Sequence, residues 1–250
     1  MAEASPATKG GAAAGLVSCL CVTESRSAFL PWLLWNYRRQ TWQNKELLIV
    51  DSSSEPFRSD LSDIRVLHAP DEKGIAEKRN RALLAARGAF IAWFDDDDWQ
   101  HPERLERLCG YLLNGSADIA GCTSSWFLDL WKSRCAPYHP TGEPIFNSCV
   151  FRAEIAKSLR FDEKVRRASD TPWMSRIKRR AVGRLTIVPR ATYSAWLCHD
   201  MNVSNPRTQR RCVLPLQLFH RSVGNAWEET ETELAALRAR LTSRTDGKER

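Results

Sequence analysis

The 250-residue sequence has no stretch near the roughly 18 consecutive apolar residues that cross a bilayer, so a membrane-spanning helix is not expected. It has no Cys-x-x-Cys pair, which argues against a structural zinc site, although there are 8 cysteines. Cys19, Cys21, Cys109, Cys122, Cys149 and Cys198 lie among apolar residues and are read as reduced, mostly buried thiols. Gly-x-Ser-x-Gly, His-Glu-x-x-His and P-loop motifs are missing, so the hydrolase, zinc-peptidase and P-loop chemistries they carry have no support. The chain opens without a basic segment followed by an apolar one. Residues 1–15, rich in Ala, Gly and Ser, are read as a disordered leader, and a cytoplasmic location is expected.

What is present is ordinary for a globular chain, with 43% hydrophobic and 27% charged residues. The net charge is +7. The excess is concentrated between Arg152 and Arg190, where twelve Lys and Arg face four Asp and Glu. A solvated basic face and a site for a phosphate-bearing ligand are both compatible with that run. No RRM, KH or zinc-finger signature accompanies the charge, and nucleic acid is not expected as a partner.

Apolar runs at Leu16–Val22, Glu46–Val50, Ile64–Leu67 and Ala89–Phe94 read as strands. Helical patterns at 27–40, 74–87 and 102–113 separate or follow them, with Gly88 as a stop and Pro31 and Pro102 in first turns. Alternation of this kind predicts an α/β domain with a mostly parallel central sheet flanked by helices. Beyond residue 115 the pattern predicts a strand at Ile119–Leu130 and a proline-punctuated loop at 132–147, a lid candidate. Helices at Ala153–Leu159 and Pro172–Arg180 and a strand near Leu185–Val188 follow. A charged helix with little apolar face is expected at Trp227–Leu241, with a frayed tail beyond it.

The chemistry is concentrated in Asp95-Asp96-Asp97-Asp98, directly after an apolar strand. Four adjacent carboxylates at a strand's end repel one another and lose water, so positive charge is required beside them. Mg²⁺ or Mn²⁺ commonly meets that need while bridging to a phosphorylated substrate. Ligands of open α/β sheets bind outside the carboxyl ends of the strands, and Thr23 and Asp51 end two other strands.

These pieces together resemble a family 2 glycosyltransferase of the GT-A (Rossmann-like) fold. The resemblance rests on Val17–Val22 with Thr23-Glu24-Ser25-Arg26, on Leu48-Ile49-Val50-Asp51-Ser52-Ser53, on Gly74–Asn80, and on Phe90–Trp99. It covers about residues 16–205, with a nucleotide-binding half at about 16–115, an acceptor half at about 116–205, and 206–250 as a C-terminal helical extension. The family implies a nucleotide-sugar donor, UDP by default, and Mn²⁺ or Mg²⁺. It makes Asp95-Asp96-Asp97 the Asp-x-Asp element, with Asp97 as direct metal ligand and Asp95 and Asp96 near the ribose or on the metal through water. It places Val22, Thr23, Ser25, Arg26, Asp51 and Ser52 around the nucleotide, and Arg79 and Lys78 near the phosphates. The late segment containing His199 returns to the metal or diphosphate. Asp170 is the expected general base of an inverting single displacement, the other reading being that it only caps the helix opened by Pro172.

Two positions depart from the family pattern: Ser52 and Ser169 stand where acidic residues are usual. They leave open a degenerate fold that binds a nucleotide or protein without turnover. A sugar nucleotidyltransferase is a further alternative, weakened by the lack of glycines in Thr23–Arg26. Ten tryptophans suggest an aromatic acceptor cleft, with Trp99, Trp126 and Trp173 beside Ser148 as candidates. The acceptor itself, whether saccharide, peptide or small natural product, is not legible.

Overall fold

The computed structural model describes residues 15–72, 74–139, 144–165, 168–181, 184–202 and 211–246. The expected leader through residue 14, positions 140–143 of the expected lid, 206–210 of the extension and its last four residues lie outside these ranges.

Strands β1 (Val17–Thr23), β2 (Lys45–Asp51), β3 (Ile64–His68) and β4 (Phe90–Trp93) form a parallel unit in the order β3-β2-β1-β4. Their apolar runs are continuous because helices cover both faces. Helix α1 (Leu30–Arg38) follows β1 after a 3-10 turn at Ser27–Phe29, and α2 (Ile75–Ala85) leads back to β4. Between α2 and β4 the chain passes so close to β1 that a Cβ on Gly88 would lie 2.6 Å from the Leu16 carbonyl oxygen. Only glycine fits there.

After β4 come the short β5 (Trp99–Gln100), α3 (Arg104–Leu113), the long β6 (Ile119–Asp129) and β7 (Arg134–Tyr138). They are followed by β8 (Val150–Arg152), α4 (Ala153–Lys157), α5 (Asp170–Arg180) and β9 (Leu185–Cys198). Strand β8 enters the sheet antiparallel between β4 and β6, while β9 runs parallel to β6 and closes antiparallel on β5. The sheet therefore curls back over the end of β4. A two-residue β10 (Leu214–Pro215) borders β7, and α6 (Gln217–Val223) and α7 (Thr230–Asp246) complete the chain.

Several expectations change in this half. The stretch 132–147 is not all loop: β7 and a 3-10 turn at Phe146–Ser148 occupy much of it, because β6 offers β7 a paired edge. Strand β9 runs ten residues past the expected end at Val188, through an irregular stretch of its register with β6 that contains Pro189. Helix α7 has an apolar face after all. Leu234, Leu237 and Leu241 are buried with Phe29, Trp32, Trp99, Phe219 and Trp227.

The tryptophans are mostly structural, which corrects the aromatic-cleft expectation. Trp99 is fully buried, and its indole N–H donates to Thr230 Oγ1 at 3.1 Å. Trp173 is fully buried and stacks on Phe161 at 4.7 Å, with its N–H on the Leu159 carbonyl. Trp126 is half-buried and meets Phe219 edge-on. Each of the two buried rings removes a large apolar area from water, and its N–H has a partner inside the protein. Ser148 is also fully buried, bonded to Ile145 and Cys122 main-chain atoms. All 8 cysteines are buried and unpaired in disulfides, as expected. Part of the basic run is paired internally: Arg152 and Arg184 both reach Asp118, at 3.1 and 3.0 Å.

His101, between β5 and α3, lies edge-on to Trp99 and Tyr193, and its Nδ1 accepts the Glu103 N–H at 3.1 Å. Burial lowers its pKa to about 4. The unfolded ring binds a proton near pH 6.5, so stability falls as pH drops from about 6.5 towards about 4. His101→Asn keeps an acceptor for Glu103 and removes the titration. Urea unfolding at pH 7.5 and pH 5 should show the variant losing less stability than the wild type, by on the order of 1–2 kcal/mol. Equal losses would contradict a neutral buried ring.

Candidate functional site

The site lies at the carboxyl ends of β1, β2 and β4. It begins with Arg104, whose guanidinium is fully buried and donates to the carbonyls of Trp93, Ser148 and Cys149. Those bonds fix the end of β4 just where the four aspartates start. Sequence reading passed over Arg104 because an arginine in a helix's first turn looks like surface charge.

Each aspartate has a different environment. Asp95 is the most open, its side chain 28% exposed, with Arg79 Nη2 4.0 Å away. Burial raises its pKa, against the pull of Arg79. Asp96 accepts the Thr23 hydroxyl at 2.6 Å and faces Arg26 Nη1 at 3.4 Å. Burial raises its pKa to about 7, with Arg26 opposing and Asp97 adding to the rise. Burial also works against ionised Asp97, but Arg26 and the His199 hydrogen bond outweigh it and hold the group below the usual carboxylate range. Asp98 accepts an amide N–H of Asn147, which favours its ionised form, but burial and the neighbouring carboxylates outweigh that bond and push its pKa well up. It is read as a neutral carboxyl group. Its carbonyl takes the Trp32 N–H at 3.0 Å.

Asp97 Oδ2 is a point of convergence. Arg26 Nη2 donates to it, His199 Nε2 lies at 3.2 Å and Asn202 Nδ2 at 3.4 Å. His199 Nδ1 accepts the Met201 backbone N–H at 3.1 Å, so the ring proton sits on Nε2 and points at Asp97. In this arrangement His199 is a donor to the carboxylate, which departs from the expected role of metal ligand. Among the described residues no group of three or more His, Cys, Asp or Glu is arranged around one cation position. The carboxylate oxygens of Asp95 and Asp97 fit Mn²⁺ or Mg²⁺ in kind, but on Asp97 Oδ2 the position is taken by Arg26.

Beside this cluster lies a cavity of about 320 Å³, lined by Thr23, Ser25, Arg26, Asp51, Ser53 and Phe57 among others. The Asp51 carboxylate is spent within its own loop. It accepts Ser53 N–H at 2.9 Å, the Ser53 hydroxyl, and Phe57 N–H at 2.8 Å. Ser53 Oγ in turn accepts the Ser25 N–H at 2.7 Å, tying the β1 and β2 loops together. Val22, the residue before the end of β1, is half-buried and outside that lining. Ser52 does not line it either: its hydroxyl accepts from buried Lys78, which also binds Glu24 Oε2, both at 2.9 Å.

On the other side of Asp95, Arg79 reaches towards Asp170. Its Nη1 donates to Ser169 Oγ at 3.2 Å and lies 3.9 Å from Asp170 Oδ1. The guanidinium rests on the faces of Trp93, Phe146 and Phe161, at 4.9–5.6 Å from their centroids. Asp170 is the first residue of α5, and its side chain is 34% exposed. The structure thus brings Thr23, Arg26, Asp95, Asp96, Asp97, His199, Arg79 and Asp170 into one cluster. Asn147 and Asn202 belong to it too; sequence set Asn147 at the start of an acceptor wall and singled out neither as a partner of the aspartates. Asparagine carries no pattern of its own, though Asn202 follows His199 by three.

Replacing a carboxyl group that is already neutral removes little. Asp98→Asn should change stability by less than about 1 kcal/mol at pH 7.5 in urea unfolding. Asp97→Asn should cost about 1–3 kcal/mol, because it strips a buried guanidinium of its charged partner. The reverse order would contradict the protonation states described above.

Comparisons with known proteins agree with this geometry. The sequence profile of the family described as "Glycosyl transferase family 2" matches residues 19–167. The chain is 31% identical over 100 residues to a putative glycosyltransferase EpsH of Bacillus subtilis, covering 37% of this chain and 29% of that protein. It is 31% identical over 98 residues to the putative colanic acid biosynthesis glycosyl transferase WcaA of Escherichia coli, covering 36% and 35%. The matched stretch therefore spans about a third of those relatives. Among solved structures, S. aureus TarS 1-349 in complex with UDP-GlcNAc superimposes with a TM-score of 0.60 at 14% identity, covering 84% of this chain and 71% of that one. The mannosyltransferase PcManGT from Pyrobaculum calidifontis, in complex with GDP-Man and Mn²⁺, gives 0.54 at 13% identity, covering 92% and 75%. With the profile spanning more than half of the sequence and the curled α/β sheet matching these structures, the chain belongs to glycosyl transferase family 2 and has the GT-A fold.

Proposed function

We propose that the protein transfers a sugar from a nucleoside-diphosphate donor to an acceptor hydroxyl or amine, with inversion, by a single displacement. The observation that carries this reading is the order of groups across one crevice. The 320 Å³ cavity, the carboxylates of Asp95–Asp97 and the Arg79–Asp170 pair follow one another across it. The complexes of structural neighbours with UDP-GlcNAc and with GDP-Man and Mn²⁺ support a nucleotide-sugar donor.

In this reading the nucleoside lies in the cavity between Thr23, Ser25 and the Asp51 loop. Asp97 and Asp95 would hold Mn²⁺ or Mg²⁺, which supplies charge neutralisation for the diphosphate as it binds and departs. Arg79 orients both Asp95 and Asp170. Asp170 accepts the acceptor's proton as the new bond to the anomeric carbon forms. The bond from that carbon to the diphosphate oxygen breaks, and its electron pair leaves with the nucleoside diphosphate. Ser169 serves this arrangement by accepting from Arg79, and Ser52 by accepting from Lys78. The two departures from the family pattern therefore have partners inside a working charge network, which weighs against the degenerate-fold alternative. No helix among the described residues is long and apolar enough to cross a membrane.

The test is a thermal-shift panel of UDP, GDP and dTDP with Mn²⁺ or with chelator. One nucleotide at about 100-fold over its Kd should add about 2.7 kcal/mol of stability with Mn²⁺ only, and Asp97→Ala should abolish the shift. Asp170→Asn should keep that shift and lower kcat by about 10²–10⁴ in donor turnover. A folded protein that responds to no nucleotide would sink the proposal.

A further inference from the structure

Arg26 occupies the place where a cation is wanted. Its guanidinium spans the two most buried aspartates of the Asp-x-Asp element, Nη1 to Asp96 Oδ1 at 3.4 Å and Nη2 to Asp97 Oδ2. Both contacts are to carboxylates. Its Nε is buried with no hydrogen-bond partner, although the side chain packs on the Phe29 ring at 4.5 Å. The residue is also borne on an unusual backbone. Ser25, immediately before it, has φ of 55°, the left-handed region that costs a non-glycine residue energy. The Ser25 N–H donates to Ser53 Oγ, in the wall of the nucleotide cavity. Arg26 lines that same cavity.

We propose that Arg26 is a resident counter-cation of the Asp96–Asp97 pair that competes with the divalent ion for Asp97 and yields it when the donor's diphosphate arrives. The inference rests on the metal-assisted reading above. A guanidinium and a divalent cation drawn to the same carboxylate, Asp97, repel each other across a few ångströms and compete for its negative charge. A free site therefore keeps its carboxylates neutralised by protein and takes up a metal ion poorly. A diphosphate in the cavity gives the fork a second anionic partner with matching geometry. Arg26 can then turn to the phosphate oxygens while Asp97 is released. The consequence is ordered, mutually dependent binding of metal and nucleotide, by linkage.

The experiment measures Mn²⁺ uptake without nucleotide, from the loss of the free-ion electron paramagnetic resonance signal, in wild type, Arg26→Gln and Arg26→Lys. Gln drops the charge and keeps a hydrogen-bonding group; Lys keeps the charge and drops the fork. Circular dichroism checks that each is folded. Arg26→Gln should bind Mn²⁺ at least about tenfold more tightly than wild type, with Arg26→Lys near wild type, a coupling of ordinary size. Adding Asp97→Asn to Arg26→Gln should abolish the gain. Equal affinity in wild type and Arg26→Gln, or a gain that survives Asp97→Asn, would overturn the proposal. Uptake by the wild type with UDP present is a separate arm. Uptake there alongside equal affinities overturns the Arg26 role alone; no uptake in any protein, with or without UDP, overturns the metal-assisted reading as well.

Discussion

Four carboxyl groups in succession at the end of a buried strand are tolerable only if each is answered separately, and the rest of the site follows from how that is done. Asp95 keeps some water and a distant Arg79, Asp96 takes a hydroxyl and one end of Arg26, Asp97 takes the other end with His199 and Asn202, and Asp98 is neutral on Asn147. Those partners come from the end of β1 and the loop after it, from α2, from the 3-10 turn before β8 and from the segment that follows β9. The acidic run is thus the place where otherwise separate parts of the sheet have to meet. A sheet that did not curl could not deliver His199 and Asn147 to the end of β4.

The half of the chain up to α3 was legible because its physics is local. Parallel strands buried on both faces read as unbroken apolar runs, and Gly74, Gly88 and Pro102 punctuate them. The second half hides its strands. In β9, Ser194 is fully buried yet polar, its hydroxyl on Asn147 and its carbonyl receiving Ser125, so the strand lacks the apolar signature that marks β1. In α7 three leucines, spaced i, i+3 and i+7, are diluted by charges on the other face. The tryptophans misled for a different reason: composition cannot distinguish a ring that waits for a sugar from one that completes a core.

The site residues divide along the same line. Those fixed by position at a strand end, Thr23, Asp51 and Asp95–Asp97, lie where sequence order put them. What sequence could not supply is which partner each one has already engaged. Asp51 is turned inward on its own loop, Lys78 is answered by Glu24 and Ser52, and Arg26 lies across the acidic pair. Serines at 52 and 169 are then not missing acids but acceptors for Lys78 and Arg79, which have found negative charge in Glu24, Asp95 and Asp170 instead.

The burial of Phe29, Trp32 and Trp99 under Leu234, Leu237 and Leu241 joins residues separated by some two hundred positions. As the polypeptide emerges from the ribosome, the parallel unit can assemble while that aromatic surface has no cover. At a synthesis rate of about 5–20 residues per second, the interval before α7 arrives is on the order of ten seconds. During it the nascent chain presents a sticky face directly behind the acidic cluster, and closing that face is the last event that gives the crevice beside the aspartates a firm back wall.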